Sequence, residues 1–589
     1  MALTLNVMAR KRRLVWDLPG IFSFSTVEKS LLVFIVLEAG ILAVIAFIVP
    51  PNTWDAMTYH MSRVAHWIQN SSVVFYPTNI DRQLFINPFA EYWIAHFQIL
   101  LKGSDYFANT IQWLSMVGSL VGISLITKEI GLGRLAQILS VFLVITLPNA
   151  IVESNSTQTD FVATLWTVIG VYFILRSINH GQTKNALAAA VAVFLAFYTK
   201  GSTLFILVPF IVWMVIDGLT VKIKQSSRIR RQFLWHIGLV VLAAVLSNGI
   251  FMAKNNFFMG SPFSPGEKAH IVNIANPKEI ISNNLLHYGM HLRLGIDPID
   301  DVVTAAAVEK LHNLMGYTTQ NSPANFPGLK LNYVDFPFYE DEIPNFIFSL
   351  ILMFGFIWFL IFRKREWGTF KGKFFWMTFL CFFILNSLVK WSPFDGRYHL
   401  AFFILFAPFL AEIFAARKKG GLIALCVLFV VLTIPFIFFN SSKPFVGGNL
   451  PIFYKKEPKY GGPSILKAER QYKYFYNHPA VGLPFILAMK GIMSSGCREI
   501  GIRTGGDTWE YLLWASLQQS GERFRIEHVL VTNSSKALQY PLGEFSPCMI
   551  VTDNPEDDYL IYLGKFYVMV ANYGEFNLYI PADRLKGGL

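Results

Sequence analysis

Long apolar runs recur along the whole chain and constrain its fold more than any other feature of the sequence. Each contains roughly 18 to 23 residues, the length at which a helix rising 1.5 Å per residue crosses a hydrocarbon core of about 30 Å. Of the 589 residues, 53% are hydrophobic and 15% are charged. A soluble protein carries about 25% charged residues. The sequence therefore predicts a polytopic α-helical membrane protein.

Basic clusters between the apolar runs predict the topology. The runs lie at 29–49, 105–127, 134–152, 160–178, 184–199, 201–217, 234–254, 344–362, 373–391, 399–416 and 420–440. The basic loops all fall on one side only if a shorter run at 88–103 does not cross the membrane. We therefore expect eleven spans, a cytoplasmic N-terminus and, at 88–103, an interfacial helix on the outer face. The same topology accounts for the net charge of +12, so nucleic acid is not an expected partner.

The sequence divides into a membrane module at 1–441, with outer loops at 50–104 and 255–343, and an external soluble domain at 442–589. The second part contains the strand-like segments "CREIGIR", "RIEHVLVTN" and "PCMIVTD", the helix-like "TWEYLLWASLQQ" and a hairpin pattern in "KFYVMVANYGEFNLYIP". This alternation predicts a small α/β domain. Cys497 and Cys548 lie beside strand-like segments and could form a disulfide in an external domain, although the sequence leaves the pairing open.

Acidic side chains lie at the predicted outer ends of the spans, where they are costly unless they are paired or functional. Asp55 belongs to "PPNTWDAMTYHMSRVAHWIQN" (50–70), which predicts an amphipathic helix on the outer membrane surface, with Tyr59 on the face of Asp55. Arg82 and Asp160 lie in the loops that follow. The simpler interpretations are a solvated helix-end charge for Asp55 and a helix cap for Asp160.

Cations lie at two further predicted outer helix ends. Lys200 lies in "FYTKGS" between two spans, on the side where the positive-inside rule disfavours lysine. Arg397 and Tyr398 lie in "FDGRYHL", and arginine is suited to bidentate contact with phosphate. Acids and cations from four separate loops thus fall on one membrane face, which predicts a binding site for an anion such as a lipid phosphate.

The order of these motifs resembles the GT-C glycosyltransferases, in particular the branch that holds the protein O-mannosyltransferases and the lipid A aminoarabinose transferases. The matching features are an early aspartate (Asp55), "NPFAEYW", a second loop acid (Asp160), an outer "TKG" turn and a late "GRY". The resemblance covers roughly residues 29 to 416.

Two positions depart from the pattern of the resembling families. This chain has Asn87-Pro88 where those families have two prolines or His-Pro-Pro. It also has Ala56 after the early aspartate, where the mannosyltransferases have an Asp-Glu pair. The departures argue against protein mannosylation and leave the acceptor open.

The resemblance implies an inverting transfer of a sugar from a polyprenyl-phosphate donor to a hydroxyl of a glycan, lipid or protein acceptor. The reaction would take place on the outer face of the inner (plasma) membrane, among membrane lipids. No cofactor is required in this scheme. A divalent metal stays open, because His287 and His291 are spaced i, i+4 but no third ligand is evident in the sequence.

The resemblance also assigns roles to individual residues. Asp55 is the expected general base, with a pKa raised by partial desolvation. Lys200 and Arg397, with Arg82 third, are expected to neutralise the phosphate. The complete expected set of substrate-binding residues is Tyr59, Arg82, Glu91, Asp160, Lys200, Arg397 and Tyr398.

Two other classes of function were weighed against a glycosyltransferase. A transporter or lipid flippase predicts charges in the middle of spans and internal repeats, whereas here the acids lie at helix ends and no repeat is found. A scaffold that binds partners through its external domain leaves the charged residues unexplained. His60 and His66 are interpreted as interface residues of an amphipathic helix.

Overall fold

The computed structural model of the chain describes residues 23–220, 222, 226–262, 271–293, 304–326, 329, 331, 342–447, 463–518, 521–553 and 558–587. The N-terminal stretch predicted to face the cytoplasm and parts of the predicted loop at 255–343 lie outside these ranges.

Helices account for most of the described chain. In chain order they are α1 (Thr26–Ile48), α2 (Met61–Asn70), α3 (Arg82–Phe85), α4 (Phe89–Leu100), α5 (Thr110–Glu129), α6 (Arg134–Ile145), α7 (Pro148–Glu153), α8 (Asp160–His180), α9 (Thr183–Thr199), α10 (Thr203–Thr220), α11 (Ser227–Met259), α12 (Pro277–His291), α13 (Ala306–Asn313), α14 (Phe346–Phe362), α15 (Phe370–Leu388), α16 (Leu400–Ala415), α17 (Lys419–Phe438), α18 (Arg470–Lys473), α19 (Pro479–Ser494) and α20 (Tyr511–Gln518). A π-helical turn, Ala56–His60, leads into α2, and a 3₁₀ turn, Pro393–His399, leads into α16.

Each of the eleven apolar runs identified in the sequence is helical in the structure. Within the described residues, seven helices are long and apolar enough to cross a membrane: α1, α5, α8, α10, α11, α17, and α16 with its 3₁₀ turn. The run at 134–152 is divided, because α6 ends at Ile145 and Pro148 begins the separate helix α7. The chain is a multi-pass membrane protein, and the number of crossings stays a prediction.

The run at 88–103 forms the short helix α4. With 12 residues it is about 18 Å long at 1.5 Å per residue. It cannot cross a hydrocarbon core of about 30 Å. Its buried residues Ile94 and Ala95 pack into the same apolar cluster as Met61 and Val64 of α2. Helix α4 therefore lies against α2, as a segment that does not span.

Helix α16 lies at the centre of the membrane module. All of its residues from Leu400 to Ala411 are buried, and phenylalanines from neighbouring helices pack around them. Phe409 alone contacts the rings of Phe359, Phe375 and Phe379. Burial of such aromatic side chains fixes the helix firmly. The 3₁₀ turn at its N-terminal end, which carries Arg397 and Tyr398, is therefore held on a rigid support.

The described part of residues 442–589, called the sheet domain below, contains a mixed sheet. Its described strands are β1 (Glu499–Arg503), β2 (Arg525–His528), β3 (Met549–Thr552), β4 (Tyr559–Tyr562), β5 (Lys565–Tyr573) and β6 (Phe576–Pro581), in the order β2-β1-β3-β6-β5-β4. Strand β1 is parallel to β2 and β3, and the other pairs are antiparallel. The predicted α/β character is confirmed, and the predicted hairpin is the turn between β5 and β6, where Gly574 has φ +78°. Cys497 and Cys548 form a disulfide with a Cα–Cα distance of 5.7 Å.

The sheet domain and the 50–104 loop share one hydrophobic core. Met57 and Val64 of the loop belong to the same buried cluster as Ile500 of β1 and Leu512 of α20. Gln69 at the end of α2 also covers the edge strand β2. Its amide accepts a hydrogen bond from the Ile526 N–H (2.9 Å) and donates one to the Ile526 carbonyl (3.0 Å). The domain is thus docked on the loop by apolar and polar contacts together.

This docking corrects one expectation. The helix predicted at 50–70 is present, but the expectation that it lies on a surface is wrong, since residues 55–67 are all buried. His60 and His66, interpreted from the sequence as interface residues, are 3% and 0% exposed. The reason is that the sheet domain covers the face that the sequence alone assigns to solvent.

Candidate active site

Asp55 occupies the N-cap position of the π-helical turn Ala56–His60, but its side chain does not cap that turn. Thr53 does so, because its hydroxyl accepts a hydrogen bond from the Ala56 N–H (3.3 Å). The Asp55 carboxylate instead accepts hydrogen bonds from the Tyr59 hydroxyl and from Arg397, each at 2.6 Å. Arg82 approaches its other oxygen at 3.7 Å. The simpler interpretation of Asp55 as a solvated helix-end charge does not describe this arrangement.

The direction of the Asp55 pKa also differs from expectation. Burial raises the pKa of Asp55, as expected from the sequence. The positive charge of Arg397, the electrostatic influence of His60 and the hydrogen bond from Tyr59 outweigh burial, and the pKa lies well below its ordinary value. The expected rise in the pKa is therefore wrong for this arrangement of the chain. Asp55 is an ionised carboxylate held by a cation.

A second ion pair lies beside the first. The Lys200 ammonium donates a hydrogen bond to the Asp160 carboxylate at 2.6 Å. Its nitrogen also lies 4.5 Å from the centre of the Tyr398 ring. Thr159, not Asp160, occupies the N-cap position of α8, so the Asp160 side chain is engaged by Lys200. Tyr398, which contacts Lys200, is the next residue after Arg397, which contacts Asp55. The two ion pairs are therefore adjacent.

Arg82 reaches from α3 to the sheet domain. Its guanidinium donates hydrogen bonds to the Gly506 carbonyl (3.0 Å) and to the Asp507 carboxylate. The central carbon of the guanidinium, Cζ, also lies 4.9 Å from the centre of the Tyr59 ring. Gly506 and Asp507 were not expected at the site, because 424 and 425 residues separate them from Arg82 and no local pattern marks them.

Glu91 lies apart from these contacts. Its carboxylate accepts hydrogen bonds from His60 (2.6 Å) and Arg63. Burial raises the pKa of Glu91, but Arg63 and His60 outweigh it, and the pKa lies at about 2. The structure thus brings together Asp55 and six of the seven expected substrate-binding residues: Tyr59, Arg82, Asp160, Lys200, Arg397 and Tyr398. Glu91 instead forms a buried ion pair with Arg63.

A third histidine, His399 at the end of the 3₁₀ turn Pro393–His399, lies next to His287 and His291. His291 Nε2 lies 2.9 Å from His399 Nδ1, and His399 Nε2 lies 2.7 Å from the Asn386 side-chain oxygen. His287 Nε2 lies 3.1 Å from the Val389 carbonyl. His291, His399 and Asn386 thus form a hydrogen-bonded chain, and His287 contacts the backbone beside it.

A cavity opens between α2, α4, α9 and α11. Aromatic rings and two cations dominate its lining: Trp67, Tyr92, Tyr198, Phe251, Arg63 and Lys254. Lys254 was missed in the sequence, although the signal was available. It interrupts the apolar "FMAKNNFF" at the same predicted side as Lys200, where a lysine departs from the positive-inside pattern.

Comparisons with known proteins identify the fold. The dolichyl-phosphate-mannose-protein mannosyltransferase family model matches residues 87–251. The structure of ArnT from Cupriavidus metallidurans bound to undecaprenyl phosphate aligns with a TM-score of 0.50 and 10% sequence identity, over 93% of this chain and 97% of that chain. The chain has the GT-C glycosyltransferase fold. The GT-C resemblance predicted from Asp55, Asp160, "TKG" and "GRY" is thereby confirmed.

One further solved structure is similar to this chain. The Archaeoglobus fulgidus oligosaccharyltransferase aligns with a TM-score of 0.40 and 14% identity, over 88% of this chain and 68% of that chain. No curated protein sequence matches this chain.

Proposed function

We propose that the protein transfers a sugar from a polyprenyl-phosphate donor to an acceptor hydroxyl, with inversion, on the outer face of the plasma membrane. The observation that carries the proposal is the contact between Asp55 and Arg397 at 2.6 Å, beside the Lys200–Asp160 pair, within a GT-C fold. A carboxylate and several cations at one point are what a base and a phosphate site require.

The proposed reaction is a single displacement at the anomeric carbon of the donor sugar. The acceptor oxygen forms a bond to this carbon while the bond from the carbon to the phosphate oxygen breaks. The acceptor proton passes to the Asp55 carboxylate. The polyprenyl phosphate leaves with its additional negative charge next to Arg397, Arg82 and Lys200. Attack opposite the leaving phosphate inverts the configuration.

In the proposed mechanism, the strength of Asp55 as a base depends on whether the donor is bound, because Arg397 can contact either group. Without donor, its guanidinium holds the pKa of Asp55 low, and a carboxylate with a low pKa is a weak base. A donor phosphate attracts the same guanidinium. As Arg397 shifts towards the phosphate, the pKa of Asp55 rises towards the operating pH. The base would then be strongest when the leaving group is in place.

The cavity between α2, α4, α9 and α11 suits the lipid part of the donor. Its aromatic lining offers apolar surface to a prenyl chain, and Lys254 and Arg63 lie in its wall. The GT-C structure of ArnT holds undecaprenyl phosphate, which supports a donor of this class for the present chain.

The disulfide supports the proposed orientation. Cys497 and Cys548 are joined within the sheet domain, and disulfides persist in oxidising compartments outside the cytoplasm. The sheet domain contacts Arg82 through Gly506 and Asp507. If the sheet domain is external, the proposed active site beside it lies on the external face as well, which agrees with the proposed orientation.

The proposed function can be tested with purified protein in lipid nanodiscs. Radiolabelled polyprenyl-phosphate sugars would be supplied with glycan, lipid and peptide acceptors, and nucleotide sugars would serve as control donors. We expect transfer from a polyprenyl-phosphate sugar only, with a product of inverted anomeric configuration by NMR. Transfer from nucleotide sugars alone, or retention of configuration, would contradict the proposal.

The pH dependence of an Arg397→Ala variant tests the coupling between base and cation. Removing the positive charge raises the pKa of Asp55, and a carboxylate base is lost as the pH falls through its pKa. We therefore expect the acid limb of the kcat/KM profile to move to higher pH, in addition to a lower maximal rate. Arg397→Lys is the control, because it keeps the charge and should keep the acid limb near its original position. An unmoved limb in Arg397→Ala would rule out Arg397 as the group that tunes Asp55.

A further inference from the structure

Three potential metal ligands converge where the sheet domain meets the 50–104 loop. His66 comes from α2, Glu510 precedes α20, and His528 ends β2. The ligand atoms of the three side chains lie within 4.8 Å of one another. Glu510 lies 3.7 Å from His66 Nε2 through one carboxylate oxygen and 3.0 Å from His528 Nε2 through the other. All three residues are buried, with His66 and His528 at 0% exposure.

The hydrogen-bonding capacity of this group is not fully used. Both ring nitrogens of His66 lack a hydrogen-bond partner among the described residues. Buried polar atoms are nearly always hydrogen-bonded, so each exception calls for a missing ion or water. A buried histidine ring with both nitrogens unpartnered among the described residues therefore leaves room for an ion or a water at this point.

The surrounding side chains hold the group in position. The His66 ring stacks on Tyr76, with ring centres 4.3 Å apart, and meets the edge of Trp514 at 4.6 Å. The Gln83 amide donates a hydrogen bond to Glu510 Oε1 at 2.5 Å. Such supporting contacts around a carboxylate ligand are the usual second layer of a metal site. His528 also has neighbours of its own, namely Thr78 Oγ1 at 3.1 Å and the Asn79 N–H at 3.4 Å.

We propose that His66, Glu510 and His528 bind a divalent transition-metal ion of the zinc class. Two histidines and one carboxylate form a ligand set that zinc accepts, and ligand atoms about 2.0–2.2 Å from a tetrahedral ion lie about 3.4 Å apart. The two spacings from the histidine nitrogens to Glu510, 3.0 and 3.7 Å, lie on either side of that value. The ion would give His66 Nε2, the nitrogen that faces Glu510, the partner that it lacks.

The ion would have a structural role. His66 belongs to the loop near the N-terminus, whereas Glu510 and His528 belong to the sheet domain, so one ion would fasten the two parts together. The ligands make no hydrogen bond to Asp55, Arg397 or Lys200 among the contacts described above. The site therefore adds to the proposed transfer reaction without depending on it, and its test does not require activity.

Metal analysis of the full-length protein tests the site. The protein would be purified through an affinity tag without histidines, dialysed, and analysed by inductively coupled plasma mass spectrometry. We expect about one zinc-class ion per chain, and loss of thermal stability on treatment with a chelator, as in structural sites. Replacement by Co²⁺ should give the visible absorption bands of a tetrahedral ion. A metal content near zero in the unmodified protein after zinc loading would overturn the proposal.

Matched variants locate the ion. His66→Ala, Glu510→Gln and His528→Gln should each reduce the bound metal to about one tenth or less of the original content, because three protein ligands are needed to hold it. The exposed His96→Ala serves as control and should retain the metal. If a variant does not fold, the Co²⁺ spectrum of the unmodified protein still decides, since a cation held by surface groups gives no tetrahedral bands. Full metal content in all three variants would place the ion elsewhere and refute the assignment.

Discussion

Replacing Asp55 by asparagine is expected to lower the rate of sugar transfer by about 10²–10⁴-fold, which is the usual contribution of a general base. Asparagine has nearly the shape of aspartate but cannot accept the proton of the acceptor. The loss should appear in kcat, measured with saturating polyprenyl-phosphate donor, while donor binding changes much less. Full activity in Asp55→Asn would remove Asp55 from the mechanism.

Asp105→Asn is a matched control for this variant. The Asp105 carboxylate has the same kinds of partners as Asp55, since it accepts hydrogen bonds from Arg470 (2.7 Å), Tyr474 (2.6 Å) and Tyr511 (3.0 Å). It lies directly after the 50–104 loop and fastens the sheet domain there through these three contacts. We expect Asp105→Asn to reduce stability and to leave the transfer rate per folded molecule unchanged. An equal loss of activity in both variants would indicate a structural effect of either substitution.

Replacing Glu91 by glutamine is expected to reduce the free energy of unfolding by about 3–5 kcal/mol, as when one partner of a buried ion pair is removed. Arg63 is 1% exposed and would keep its charge without the carboxylate that balances it. Thermal unfolding in detergent, followed by tryptophan fluorescence, measures the change. In the unmodified protein, burial raises the pKa of Glu91 but Arg63 and His60 lower it to about 2. The stabilisation should persist above the ordinary pKa of glutamate and disappear only as the pH falls through about 2.

Glu522→Gln provides the comparison. Glu522 pairs with Arg498, but their side chains are 50% and 39% exposed. Exposed pairs contribute about 0–1 kcal/mol, because water screens the charges. A similar loss of stability in Glu91→Gln and Glu522→Gln would mean that burial of Arg63 does not determine the effect.

The helical part of the fold was predictable because its signal is local. Eleven apolar runs gave eleven helical regions, and the side chains at their ends gave most of the site. The ends of the helices were less predictable. Helix α11 extends over Ser227–Met259, beyond the run at 234–254, since arginines and asparagines outside the hydrocarbon continue a helix without appearing in an apolar pattern.

The contacts that change the chemistry were not predictable, because they join distant parts of the chain. Arg397 and Asp55 are 342 residues apart, and their contact reverses the direction of the Asp55 pKa. Likewise, His399 reaches His291 across 108 residues, so the pair at 287 and 291 seemed to lack a third member. Glu91 was expected at the site from its place in "NPFAEYW", but only the structure shows that Arg63 holds it.

The hydrophobic core shared by the 50–104 loop and the sheet domain is built from segments that are synthesised at different times. Met57 and Val64 are translated before Ile500 and Leu512, which belong to the same buried cluster. The apolar face of α2 therefore stays uncovered while most of the membrane helices are inserted, and such faces attract chaperones and proteases. Arg82 likewise meets Gly506 and Asp507 only after the sheet domain has been synthesised. A prematurely terminated chain would present a degradation signal and an incomplete site, so quality control and the onset of activity would depend on the same late docking step.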